Sequence, residues 1–502
     1  MRLTLDRSEC GYYKLLQSDA ICTKESAELV IPDVCEDVGQ ILDVKGEICL
    51  TNKKLIDGRL SVEGAVEVCI VYAGEDGKKL EHVATTMQFT QTKAMSDAGD
   101  DHLVVVRLEL RRIEAKTLNP RKLLIKAEPC AVFCCYGIAD CGVYNRLPAG
   151  EFPAIHTLCK KAQFVPVISV KEKNFSISDE YLVPADVPAG AKMISSATRI
   201  CVDDIKTVGS KIIFKIVTET DALFLCEETG ELRSCCFETQ VSQLIESEYD
   251  TELTEAAVIP VLKSSELTRL PERENSACYA ASFSILVQAV CCENRCVEYV
   301  ADAYCNKYCA STEFSETVLG GYSTIRRMRM ELCGRLPAGL SCADVVYLTP
   351  SYAFAEVSGS KLMCSVRLRG VYCSPEGERL PLSISLEDSD ELIISDCQSL
   401  KLISCCVGSA FIAQSCDVTI PFIMELGVYE EHSVNSVSAI ELDEGSCGMK
   451  NRPSIIVLCS NRDYDLWELA KKYGSTTTGI EKANTIDGKF DISARPMIIP
   501  KD

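Results

Sequence analysis

Tryptophan and histidine are the scarce residues of this 502-residue chain, with one of the first and four of the second. His82, His102, His156 and His432 share no local pattern, and although there are thirty cysteines no two stand at C-x-x-C spacing. The usual zinc-finger and zinc-ribbon signatures are therefore missing, and neither a metal nor a cofactor is expected. There is no G-x-S-x-G, H-E-x-x-H or Walker glycine-lysine motif, so the chain offers no nucleophile elbow, metalloprotease helix or nucleotide loop by sequence, and it is read as a non-enzyme. Long apolar runs are also missing: no window of about twenty residues suits a membrane span. The first residues, MRLTLDRSECGYYKLL, lack the apolar stretch of a signal peptide, which leads us to expect residence in a cytoplasm. Basic residues are outnumbered 52 to 73, a net charge of -21, which disfavours nucleic acid and anionic membranes as partners. The one basic cluster, Arg326, Arg327 and Arg329, reads as a solvated strand face, with docking of an acidic partner as the alternative.

What is present points to a packed, β-rich protein. Hydrophobic residues make up 47% of the chain, enough for a core in each of several domains. The cysteines include adjacent pairs, such as Cys134-Cys135 and Cys405-Cys406, within strand-like runs where neighbours point to opposite faces. Most are read as reduced, buried small hydrophobes, the sharper alternative being that exposed ones cross-link an assembled structure.

The sequence repeats. Pro32, Pro184 and Pro337 recur at about 150 residues, as do Gly77, Gly230 and Gly377, and similar strand-like runs lie between each proline and its glycine. In the first copy Leu60, Val62, Val66, Val68, Ile70 and Tyr72 alternate with Arg59, Ser61, Glu63 and Glu67, the pattern of a half-buried antiparallel strand. Asp76-Gly77 suits a tight hairpin, whereas Gly58 and Gly64 read as lying inside strands. Val104, Val106, Leu108 and Leu110, alternating with Val105, Arg107, Glu109 and Arg111, add a strand, and Leu123, Ile125 and Ala127 another. The expected fold is mainly β: three tandem β-sandwich-like repeats over 1–150, 151–308 and 309–447, making an elongated body, followed by a small βααβ module over 453–502.

In that last segment Ile455 to Leu458 form a β-branched run, and Asp463 or Asp465 can cap a helix whose apolar face is Leu466, Leu469, Ala470 and Tyr473. Gly474 ends that helix, Thr478 and Glu481 fit a capping box for a second one, and Met497 to Ile499 close the module as a strand.

Leu466, Trp467, Leu469, Ala470, Tyr473, Asn484, Ile498, Ile499 and Pro500 resemble the LysM family pattern. Ile31-Pro32-Asp33, Asp37-Val38, Ile41-Leu42, Val62-Glu63-Gly64, Val71-Tyr72, Glu75-Asp76-Gly77 and Asn119-Pro120-Arg121-Lys122 resemble the SPOCS repeat of spore-envelope proteins. Tandem SPOCS copies with a C-terminal LysM module resemble the coat-morphogenetic proteins of clostridia. The resemblance implies a structural adaptor in the mother cell, at the forespore surface or spore coat, docking onto a coat-morphogenetic partner, in that family a basement-layer ATPase. The alternative it implies is binding of peptidoglycan, a polymer containing N-acetylglucosamine. The implied partner- or glycan-binding residues are Arg462, Asp463, Tyr464, Asp465, Leu466, Trp467, Asn484, Thr485 and Ile486. The family's Gly-Asp-Thr turn reads Asp463-Tyr464-Asp465 here, without the glycine that admits a sugar against the backbone, which suits a protein partner. Trp467 itself reads as packing the module's small core, with sugar stacking as the alternative.

Overall fold

A computed structural model describes residues 1–501 except 76, 78, 96–98, 100, 151, 153, 189, 227–228, 247–254, 274–275, 444–452, 460–464, 487–488 and 491–495. The protein is mainly β, with two short α-helices near the C-terminus among the described residues.

One pairing scheme occurs at three places. The first unit has a meander of Val38–Ile56, Arg59–Gly74 and Leu80–Ala94. It faces a sheet in which Lys122–Asp140 pairs with Leu103–Asn119 on one side and with Gly11–Cys22 and Glu25–Val30 on the other. The second unit has the meander Lys192–Val208, Lys211–Cys226 and Glu231–Glu246, facing Val167–Leu182, Ser276–Cys292 and Glu255–Arg273. The third has Val345–Ser358, Lys361–Cys373 and Arg379–Glu391, facing Cys309–Arg335, Asp417–Asp443 and Gln398–Val407. Each pair of layers encloses its own apolar cluster. Fully buried rings such as Phe214, Phe283 and Phe422 each contribute about 1.5–3 kcal/mol to these cores.

The turns recur as well. The carbonyls of Pro32, Pro184 and Pro337 accept from the N–H groups of Cys35, Val187 and Leu340 at 2.9, 3.0 and 3.2 Å. The residue before each proline donates to the opposite end of its unit: Ile31 to Arg121, Val183 to Ala277, Leu336 to Cys416. In the first unit Arg121 closes this corner. Its guanidinium donates to the carbonyls of Ile31 and Cys35 and to the carboxylates of Asp33 and Asp37, all within 3.1 Å.

Leu60, Val62, Val66, Val68, Ile70 and Tyr72 are all buried, as their alternation predicts. Gly58 is different: it is not inside a strand but forms, with Asp57, the two-residue hairpin turn, both at positive φ (64° and 50°). The connection around Gly77 is longer, running from Gly74 to Leu80.

The elongated body is not what forms. The three units close on one another, because strand faces that alternate between charge and apolarity are buried on both sides. Arg107 and Glu109, on the face opposite Val106 and Leu110, are each 7% exposed and lie 3.0 Å apart as an ion pair. Arg111 of the same strand reaches Glu356 of the third unit at 3.3 Å. Between units one and two, the Thr198 N–H donates to Glu47, and the Gln288 side-chain amide pairs with both backbone groups of Val106 at 2.7 and 2.9 Å. Between units one and three, Tyr347 donates to Asp43 at 2.8 Å and the hydroxyls of Tyr136 and Tyr322 meet at 2.9 Å. Between units two and three, Arg199, paired with Asp221 and Glu219, also donates to Ser409 at 3.0 Å, and the Val258 N–H donates to Glu425 at 3.4 Å. A cavity of about 190 Å³, lined by Glu47, Arg107, Glu109, Arg199 and Ser351, lies at the centre. Apolar clusters drawn from all three units flank it, one through Val71, Leu223 and Val371 and the other through Val105, Ile259 and Tyr429.

Among the described residues there are three disulfides: Cys10–Cys141 and Cys22–Cys130 within the first unit, and Cys201–Cys406 joining the second to the third. Cys49, Cys135, Cys291, Cys292 and Cys364 are buried thiols.

Two outcomes test the junction. Glu109→Ala leaves Arg107 buried beside a lost partner and lowers unfolding free energy by about 3–5 kcal/mol in denaturant melts. Burial pushes the carboxyls of Glu47 and Glu425 up from an ordinary 4.5 to about 8 and about 7. Their stabilisation is therefore full below pH 4.5 and is lost as pH rises through those values, and Glu47→Gln flattens the fall in melting temperature over that window.

Candidate functional site at the C-terminal module

The described residues from 453 onward pack as a small layered element. Ile455–Leu458 pairs antiparallel with Met497–Pro500, and between them in sequence lie α1 (Leu466–Tyr473) and α2 (Thr477–Ala483). Asp465 caps α1: its carboxylate accepts from the N–H groups of Trp467 at 2.8 Å and Glu468 at 3.4 Å. Lys471 and Lys472 occupy the last turn, and Gly474 ends it at φ 63°. The second cap falls two residues before the expected one. Thr476, with extended backbone, accepts from the Gly479 N–H at 3.0 Å, which places Thr478 inside the first turn of α2.

The residues expected to bind a partner divide into several groups. Arg462, Asp463 and Tyr464 lie outside the described residues, and only the backbone of Ile486 is described. Asp465 and Thr485 are exposed, and Leu466 is half-buried. Asn484 is buried, and its side chain joins α2 to the last strand. Its amide nitrogen donates to the carbonyls of Ile480 at 2.7 Å and Ile498 at 2.6 Å, while its oxygen accepts from the Ile498 N–H at 2.7 Å. Asn484 is thus an internal brace for the pair of elements that would flank a groove.

Trp467 meets the rest of the protein. Its indole N–H donates to Asp302 at 2.8 Å, and its ring meets Tyr304 edge to face at 4.9 Å between centroids. Lys471, one turn on, pairs with the same Asp302 at 2.7 Å. The Tyr304 hydroxyl donates to the Ser475 carbonyl at 2.8 Å, and its ring joins Leu469, Ala470, Ile480, Met497 and Ile499 in one cluster. Burial alone would raise the Asp302 carboxyl, but the bonds from Lys471 and Trp467 outweigh it and hold it below the usual aspartate range. Trp467 is therefore neither wholly in the module's own core nor free.

The strand that receives the module, Arg295–Cys305, leads from the second unit to the third and pairs with Ile155–Phe164, which leads from the first to the second. The start of the chain joins them, with Arg2–Thr4 pairing to Ala439–Glu441. Leu3, Leu5, Ile155, Val300, Val437 and Ile440 form the apolar base under this platform. Asp302 and Tyr304 were not visible as site residues in the sequence, because the fold alone brings them to Trp467. Arg326, Arg327 and Arg329 remain exposed on their strand, with Glu331 and Asp203 as partners for two of them.

Residues 37–118 match the family model described as SipL, SPOCS domain. Over that stretch the chain is similar to a SPOCS domain. The match spans the meander of the first unit and nearly all of Leu103–Asn119, and the Arg121 corner adjoins its end. No curated protein and no solved structure matches the chain. No helix among the described residues is long and apolar enough to cross a membrane.

Asn484→Ala strands the half-buried N–H and carbonyl of Ile498, and costs the module about 1–3 kcal/mol. Asp465→Ala removes a cap on an exposed turn and costs about 1 kcal/mol. Hydrogen exchange of the α1 and α2 amides should rank the two variants in that order.

Proposed function

We propose that this protein is a non-enzymatic structural adaptor of the spore envelope. In this reading the three layered units are copies of one SPOCS-type domain that form the body, and the C-terminal βααβ element is a LysM-type module that docks on a coat-morphogenetic protein at the forespore surface. The observation that carries it is the SPOCS match over residues 37–118. The recurrence of the proline turns and pairing scheme in units two and three supports extending that domain to the rest of the body. Polar contacts between units, such as Arg111 with Glu356 and Arg199 with Ser409, help hold them together, which is the use expected of them in a scaffold. Several linked surfaces with one docking element give attachment and spacing by multivalency.

Asp463-Tyr464-Asp465, in place of a glycine turn, favours a protein over a sugar at the module. Anchoring to peptidoglycan of the cortex or wall is the competing outcome of the test.

The test follows the full-length protein in sporulating cells. The wild type gathers at the forespore surface, while Asp465→Ala and Trp467→Ala release it into the mother cell with the body still folded. Normal localisation of both variants contradicts the reading. Retention of the purified wild type on insoluble peptidoglycan, competed by N-acetylglucosamine oligomers, transfers the module to wall anchoring.

A further inference from the structure

Trp467 and Lys471 stand one turn apart on the same face of α1, and the body meets that face with two chemical groups. A carboxylate, Asp302, accepts the indole N–H at 2.8 Å and the lysine ammonium at 2.7 Å. A ring, Tyr304, packs edge to face on the indole. Asp302 and Tyr304 are two residues apart on an extended strand, so both side chains fall on one face of it. The set is complementary in charge, hydrogen bonding and shape. Its acceptor is well sheltered, the Asp302 side chain being 16% exposed. A charge-assisted bond with an aromatic contact beside it is the kind of pairing by which a helix face recognises an extended segment.

We infer that the Trp467–Lys471 face is a recognition surface for an extended protein segment bearing a carboxylate two residues before an aromatic ring, and that the protein's own Asp302-Ala303-Tyr304 occupies it as an internal competitor. The inference rests on the reading of the module as a docking element. A partner of this chemistry must displace the body's strand, so the module engages only a segment that out-competes an intramolecular one. Such competition lowers apparent affinity by the fraction of molecules whose face is open.

The sole tryptophan makes this measurable in the full-length protein. Acrylamide quenching of Trp467 is weak in the wild type and rises several-fold in Asp302→Ala, with Asp302→Asn, which keeps an acceptor without the charge, between them. The probe is then a peptide of residues 297–304, Val-Glu-Tyr-Val-Ala-Asp-Ala-Tyr, which contains no tryptophan. It saturably restores protection in Asp302→Ala. The same peptide with asparagine at the Asp302 position binds about tenfold more weakly, the shift expected of one lost charge-assisted bond. Equal quenching in wild type and both variants overturns self-occupation. Protection of the opened variants by N-acetylglucosamine hexamer and not by peptide assigns the face to sugar. Protection by neither reduces the contact to a structural one. None of these read-outs needs a forespore partner, so their failure leaves the localisation test standing, and failed localisation leaves them standing.

Discussion

Ionised side chains buried between β-layers constrain everything else in this protein. Arg107, Glu109 and Asp221 are buried, and Arg199 half-buried, where three layered units meet, and removing the opposite charge from any of them is costly. Hydrophobic burial within each unit makes the units; the polar contacts between them, such as Arg111 with Glu356 and Tyr347 with Asp43, fix how they meet. An apolar face accepts many orientations, but an arginine that must reach Asp221, Glu219 and Ser409 accepts few. The same demand explains why Gln288 is buried: its amide substitutes for a peptide group against Val106 of another unit.

That arrangement positions the rest. With the units closed around one centre, the segments that connect them run together as paired strands, and the beginning of the chain pairs with the end of the third unit. The platform so formed presents Asp302 and Tyr304 outward at one place. The C-terminal module is therefore held by the connections between units, so its position reports whether the units are closed.

The sequence was informative wherever one face of an element is buried and the other wet. The alternation from Leu60 to Tyr72, the apolar face of α1, and the Asp465 and Gly474 ends were legible because local chemistry decides them. Gly58 was misplaced because a turn glycine between two strands of like pattern looks like strand interior until the register is known. Thr476 and Thr478 differ by two positions, and only backbone conformation selects between them. Alternation marks Arg107 and Glu109 as one polar strand face, but what covers that face comes from another unit, as where Arg107 donates to the Leu402 carbonyl at 3.5 Å. For the same reason the elongated body was a false expectation: charge periodicity marks a polar face, and a polar face can be paired as well as wetted. The Trp467 contact spans more than 160 residues of chain, beyond the reach of any spacing rule.

Closure of the three units around the charged centre is the central claim, and small-angle X-ray scattering of the purified full-length protein tests it most directly. A closed, globular chain of 502 residues has a radius of gyration of about 23 Å. A value near that supports the account; a value above roughly 30 Å, with the extended pair-distance tail of units strung end to end, contradicts it.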